Sequence, residues 1–162
     1  MIIVSDTSPI TSLAAINKLK LLQQLYGSII IPEAVYRELT EVSVPVPGTR
    51  EVLSADWIQM RSVVNRSLVA NLKALPLDEG ESEAIVLAKE LNAEILLIDE
   101  RRGRAEASRQ GLRITGLLGV LIEAKTQGAI AEIKPIIDEL ILTAEFRVSQ
   151  MLYDRVLQIV GE

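Results

Sequence analysis

Met1-Ile2-Ile3-Val4-Ser5-Asp6-Thr7-Ser8-Pro9-Ile10 opens the chain, and Glu94-Ile95-Leu96-Leu97-Ile98-Asp99-Glu100 lies past its midpoint. In both stretches a short, unbroken aliphatic run ends at an aspartate. A continuous apolar run of this length, without polar alternation, predicts a strand buried on both faces, which is the habit of parallel sheets. Ile2 to Val4 is therefore the first expected strand and Ile95 to Ile98 a later one, each delivering a carboxylate from its C-terminal end. Ser28 to Ile31 reads the same way and runs into Pro32-Glu33.

Helical patterns fill the spaces between these runs. After Asp6, Thr7 or Ser8 is an expected N-cap and Pro9 suits a first turn, with Ile10, Leu13, Ile16, Leu19 and Leu22 near helical spacing up to Gly27. Pro32-Glu33 opens a second helix with Val35 and Leu39 on its buried face. Val42 to Gly48 alternates Pro with small residues and reads as a loop. Trp57 to Val64 is expected as an edge strand, and Asn65 to Leu75 as a short helix closed by Pro76. Acidic residues at 78–83 lead into a helix at Ala84 to Ala88, as the helix dipole favours. Arg101 to Gln110, Leu117 to Gln127, Lys134 to Ala144 and Gln150 to Val160 read as helices, with a brief strand at Arg113 to Thr115. Strands alternating with helices of crossover length predict a three-layer α/β/α domain with a mostly parallel central sheet and a helical C-terminal segment. At 162 residues the chain is expected to form one domain, 1–162.

Composition removes much chemistry. There is no Cys and no His, which excludes disulfides, thiolate nucleophiles, Ser-His-Asp triads and the usual zinc sites. Aromatic residues make up 3%, so the core must be aliphatic and base-stacking platforms are scarce. A net charge of -5 argues against indiscriminate nucleic-acid binding by charge alone. The N-terminus lacks the form of a signal peptide and no apolar stretch approaches membrane-spanning length, so a cytoplasmic location without membrane contact is expected.

Open parallel sheets bind ligands outside the carboxyl ends of their strands. Asp6 and Asp99 meet that condition, and Glu38 and Glu81, early in helices, can reach the same edge. Four acids around one pocket repel each other unless a hard divalent cation such as Mg²⁺ or Mn²⁺ neutralises them. Such an ion lowers the pKa of water and assists attack on a phosphodiester without any histidine. Thr7 and Ser8 are candidate supporting hydroxyls. Acids in these places also serve as helix caps or solvated charges, and Glu83 competes with Glu81 for the third position.

These residues resemble the PIN-domain family. Ile2 to Ile10, with Asp6-Thr7-Ser8, looks like the family's first strand and its opening acid. Ile29 to Leu39, containing Glu38, resembles the second strand and helix. Leu77-Asp78-Glu79-Gly80-Glu81-Ser82-Glu83-Ala84-Ile85 resembles the third acidic position, and Leu96-Leu97-Ile98-Asp99-Glu100 the fourth. Four acidic motifs in order, over roughly the first three quarters of the chain, are far more specific than one. The nearest likeness is a prokaryotic subgroup related to VapC-type toxins. The resemblance implies a metal-dependent ribonuclease with an RNA substrate, an antitoxin protein as partner and a homodimeric state. The Gly-Glu-Ser-Glu motif departs from the Asp found in many VapC-type toxins.

Arg101, Arg102 and Arg104, with Arg109 and Arg113, follow Asp99 and are candidate RNA-phosphate contacts; a solvated helix face is the plainer reading. Ile136, Ile137, Leu140 and Ile141 form one apolar stripe, and Met151, Leu152, Val156, Leu157 and Val160 another, suited to the core, self-association or an antitoxin helix. Two other functions compete. One keeps the fold as a catalytically inactive partner-binding or RNA-binding regulatory module. The other is a phosphatase of the haloacid dehalogenase type, which needs a second Asp where Ser8 stands.

Overall fold

The computed structural model describes residues 1–162. Five strands form one all-parallel sheet in the order β3-β2-β1-β4-β5, with β1 Ile3–Ser5, β2 Ile29–Pro32, β3 Ile58–Arg61, β4 Ile95–Leu97 and β5 Ile114–Thr115. Ten helices flank it, so the α/β/α expectation holds and the sheet is wholly rather than mostly parallel. Side chains alternate across the strands. Ile3, Ile29, Ile31 and Leu97 join a 24-residue core on one face, while Val4, Leu96 and Ile98 join a 13-residue core on the other. The first core is covered by α1 Thr7–Ala15, α2 Lys20–Tyr26, α8 Leu117–Thr126, α9 Lys134–Thr143 and α10 Gln150–Val160, and the second by α5 Arg66–Lys73, α6 Glu79–Glu90 and α7 Arg101–Arg109. No helix is long and apolar enough to cross a membrane.

Three local readings change. The long first helix is two: α1 ends and Asn17 turns with φ 57 before α2, although Ile16 and Leu19 stay buried as their spacing predicts. Asn tolerates this left-handed conformation better than most residues, so the apolar rhythm continues while the backbone breaks. A short helix, α4 Thr49–Ser54, follows the Pro-rich loop; its N-cap Gly48 has φ 103, and a Cβ there would stand 3.2 Å from Ile10 Cγ2. Trp57 to Val64 contributes only Ile58–Arg61 to the sheet, as the edge strand. The chain then leaves the ladder, with Glu90 accepting from the Val64 and Asn65 backbone N–H groups.

Strand order places the switch point at the centre. β1 is bordered by β2 on one side and β4 on the other, so the chain's connections diverge between β1 and β4. Ser5 is in register with Leu97, and the Asp6 N–H donates to the Leu97 carbonyl at 2.9 Å. The residues just beyond, Asp6 and Asp99, therefore emerge side by side where an open parallel sheet receives ligands.

Candidate metal centre

Asp6 directly follows β1 and is the N-cap residue of α1, with extended backbone and no capping bond from its side chain. Its carboxylate is released toward the sheet edge instead of being spent on the helix. It is 5% exposed, and its pKa is raised to about 7, by burial first and then by the charges of Asp78, Glu38 and Asp99, with the Thr7 backbone N–H pulling the other way. Glu38 reaches the same place from α3 Glu33–Thr40. Its Oε2 accepts the Thr7 hydroxyl at 2.7 Å, and a Cβ on Gly80 would crowd Glu38 Oε2 at 3.1 Å and touch Asp6 Oδ1 at 3.5 Å.

Asp99 arrives from β4. Its Oδ1 accepts the Leu117 N–H at the start of α8 at 2.9 Å, and Arg104 stands close enough to pull its pKa down. Burial outweighs both and raises it. Its Oδ2 is buried without a hydrogen-bond partner. Arg104 also donates to the Ile98 carbonyl at 2.9 Å, so this cation is built into the strand end.

The choice between the two glutamates of Gly-Glu-Ser-Glu is made by their neighbours. Glu83 is 1% exposed and fully engaged: its Oε1 accepts the Ala34 N–H at 3.0 Å and its Oε2 the Arg66 guanidinium at 3.1 Å. It caps α3 from outside that helix. Glu81 faces the acids. Asp78 Oδ1 accepts the Glu81 N–H at 2.7 Å, while Glu81 Oε1 accepts the Asp78 N–H at a long 3.4 Å, a capping box with one weak arm. Glu81 Oε2 is buried without a partner. Burial, then Asp78 and Asp6, push the Glu81 pKa up to about 8.

Glycines form the wall behind these carboxylates, a feature the acidic motifs did not reveal. A Cβ on Gly103 would stand 2.7 Å from Glu81 Oε2, and one on Gly116 would stand 2.7 Å from Asp99 Oδ1 and 2.8 Å from Arg104 Nη1. Four acids are thus seated against three glycines: Asp6 and Glu38 at Gly80, Glu81 at Gly103 and Asp99 at Gly116. Asp78, one of the acids flanking Glu81 in the sequence, serves as the N-cap of α6, a role its D-x-x-E spacing to Glu81 makes legible.

Of the supporting residues, Thr7 is occupied with Glu38, while Ser8 lines the cavity beside Asp99. The basic helix divides. Arg101 and Arg104 line that same cavity, but Arg102 lies with Arg109 and Glu106 in a separate depression, because adjacent helical residues point about 100° apart. The three arginines therefore do not form one phosphate-binding row.

Asp6, Glu38, Glu81 and Asp99 are brought to one sheet edge, where oxygen-only donors, two of them unpartnered, suit a hard divalent cation. As the side chains stand, no three acidic groups close to ligand distance around one point. Glu81 Oε1 is engaged only by the long contact to the Asp78 N–H.

A structure of a PilT N-terminus domain protein, SSO1118, from the hyperthermophilic archaeon Sulfolobus solfataricus P2 superposes with a TM-score of 0.51 over 74% of this chain and 90% of that one. At 18% identity this is a likeness of fold. No curated protein matches. A family model, DUF3368, described as a PIN domain, matches residues 2–162. PIN domains are generally nucleases and typically use divalent metal ions. By its sequence from end to end and by its parallel sheet, the chain belongs to the PIN-domain family.

Proposed function

We propose that this protein is a divalent-metal-dependent endoribonuclease that hydrolyses RNA phosphodiesters, with Mg²⁺ or Mn²⁺ held by Asp6, Glu38, Glu81 and Asp99. One observation carries this reading: buried carboxylate oxygens on Glu81 and Asp99 have no partner, beside an Asp6 whose ionisation is disfavoured. A folded protein ordinarily satisfies buried oxygens, and an unpaired set at a strand-end switch point is a place prepared for a cation. When bound, the ion supplies a field that acidifies water and offsets charge gathering on the phosphate. The chain's own residues set the geometry. Thr7 fixes Glu38 and the Leu117 amide fixes Asp99, while the charge of Arg104 favours the ionised form of Asp99.

The family resemblance extends the proposal to a toxin-like component of a toxin-antitoxin module, cytoplasmic, homodimeric and restrained by an antitoxin protein. A second reading is favoured by the weak capping arm that engages Glu81 and by the absence of a closed acidic triad. On that reading the fold serves as a catalytically inactive module that binds RNA or a partner protein.

A panel of structured RNAs incubated with Mn²⁺, with EDTA, and with the Asp6→Asn and Asp99→Asn variants separates the two. Cleavage should require Mn²⁺ and fall at least about a hundredfold in each variant, since even residues behind metal ligands cost up to that much. Cleavage that survives both substitutions rejects the site. A folded wild type inactive on every RNA favours the regulatory reading.

A further inference from the structure

Beside the carboxylates an open groove of about 900 Å³ runs from Asp99 and Ser8 along α8 to the α9–α10 turn and α10. The chain as a whole is acidic, yet this groove gathers Arg101, Arg104, Arg147 and Arg155. Arg104 is committed to the Ile98 carbonyl. The other three have no carboxylate within ion-pair distance, although Glu100 and Glu145 also line the walls. Unpaired guanidinium groups concentrated along one groove are a footprint for phosphates.

The groove lining is not wholly polar. Leu118, Ile122 and Ile159 lie in it with Phe146, the chain's one phenylalanine, which is half-buried against the larger core. Phe146 is held there by its backbone: after α9, Glu145 takes φ 54, and the Phe146 N–H donates to the Leu140 carbonyl at 3.1 Å. Aromatic and aliphatic side chains in one groove with cations suit a strand whose bases are unpaired. A duplex hides those faces.

We propose that this groove carries single-stranded RNA into the carboxylate edge, with Arg147 and Arg155 binding backbone phosphates and Phe146 stacking on a base. The proposal rests on the ribonuclease reading for the identity of its ligand. It assigns substrate positioning to the C-terminal helices, outside the four acidic motifs. An acidic peptide is the other chemistry that three arginines would attract, but it does not use the aromatic side chain in the same way.

The test is binding of a fluorescent single-stranded RNA of roughly a dozen nucleotides to the full chain in EDTA, followed by anisotropy across a salt series. The Arg147→Ala/Arg155→Ala double variant should bind at least about tenfold more weakly, and its log affinity should fall less steeply with log salt by about 1.4, or about 0.7 per lost phosphate contact. The Arg147→Lys/Arg155→Lys pair should retain most of that slope. Phe146→Leu should weaken binding by about fivefold or more and leave an abasic strand unaffected. Arg147→Gln and Arg155→Gln singly serve if the double variant does not fold. An unchanged salt slope in folded variants overturns the proposal, as does a polyglutamate peptide of equal length bound as tightly through the same arginines. Manganese-dependent cleavage with unaltered kcat/KM in the double variant overturns the groove alone. RNA binding through these arginines, with no cleavage under any condition, sinks the nuclease reading and leaves the groove standing.

Discussion

Two regions of this molecule treat carboxylates in opposite ways. Where α9 begins, Glu162 accepts the backbone N–H groups of Ile133 and Lys134 and the Lys125 ammonium. Burial pushes its pKa up, but these donors outweigh burial and hold it at about 2. At the sheet edge, Asp6 and Glu81 stand among other acids with few donors and are driven up to about 7 and about 8. The fold has the means to satisfy a carboxylate fully. Its failure to do so at one edge is therefore informative, because unsatisfied charge persists where something from solution completes it.

Glu81 and Glu83 repeat that contrast two residues apart, and exchanging each tests it most sharply. Glu81→Gln should lower metal-dependent cleavage at least about a hundredfold with the fold intact. Glu83→Ala should act on stability, since it strands the Ala34 N–H and removes the shorter of Arg66's two carboxylate contacts, leaving Glu79 at 3.8 Å, at a cost of roughly 2 kcal/mol given that Arg66 is half-exposed. Urea unfolding read beside the cleavage assay distinguishes the two. Loss of activity in Glu83→Ala with unchanged stability would reverse the assignment.

The next effect is on pH. Asp6 and Glu81 have folded pKa values above their ordinary 3.8 and 4.5, so the folded state holds more protons than the unfolded state between those values and about 7 and about 8. The stabilisation this provides is complete below the unfolded values and is lost as pH rises through the folded ones. In EDTA the protein should melt several degrees lower at pH 8 than at pH 5.5. Asp6→Asn should remove part of that fall and raise the melting temperature at pH 8, as often happens when a strained functional group is neutralised. A melting temperature that climbs steadily from pH 5.5 to 8 in the absence of metal would contradict the picture. Mn²⁺ should stabilise most at the alkaline end, where the ligands are ionised.

The smallest effect belongs to the satisfied region. Glu162→Gln should lower the melting temperature at pH 7 by only a few degrees, and the loss should vanish as pH falls through about 2, where the wild-type carboxylate itself takes up a proton. Equal melting at pH 7 would mean that solvent serves the Ile133 and Lys134 amides as well as Glu162 does.

Much of this was legible in the residues. The aliphatic runs ending at Asp6 and Asp99 announced central parallel strands because burial on both faces leaves no room for alternation. The same burial made their terminal acids conspicuous. Other features were not legible. Ile10, Leu13, Ile16, Leu19 and Leu22 keep helical spacing across a backbone break, since spacing records burial and not continuity. Arg101 and Arg102 are equivalent as sequence, yet only one faces the groove. Gly80, Gly103 and Gly116 matter through what stands against them, and that comes from distant segments.

Local chemistry, by itself, determined the parallel sheet, the aliphatic core, the exclusion of thiol and imidazole catalysis, and the two aspartates at strand ends, because each follows from residue type and short-range order. Only the tertiary structure decided that Glu83 is spent on Ala34 and Arg66 while Glu81 is not, and that a turn near the C-terminus carries arginines toward Asp99. The physical reason is that a charge acquires its role from the donors and acids folding brings within a few ångströms, and most of those lie tens of residues away along the chain.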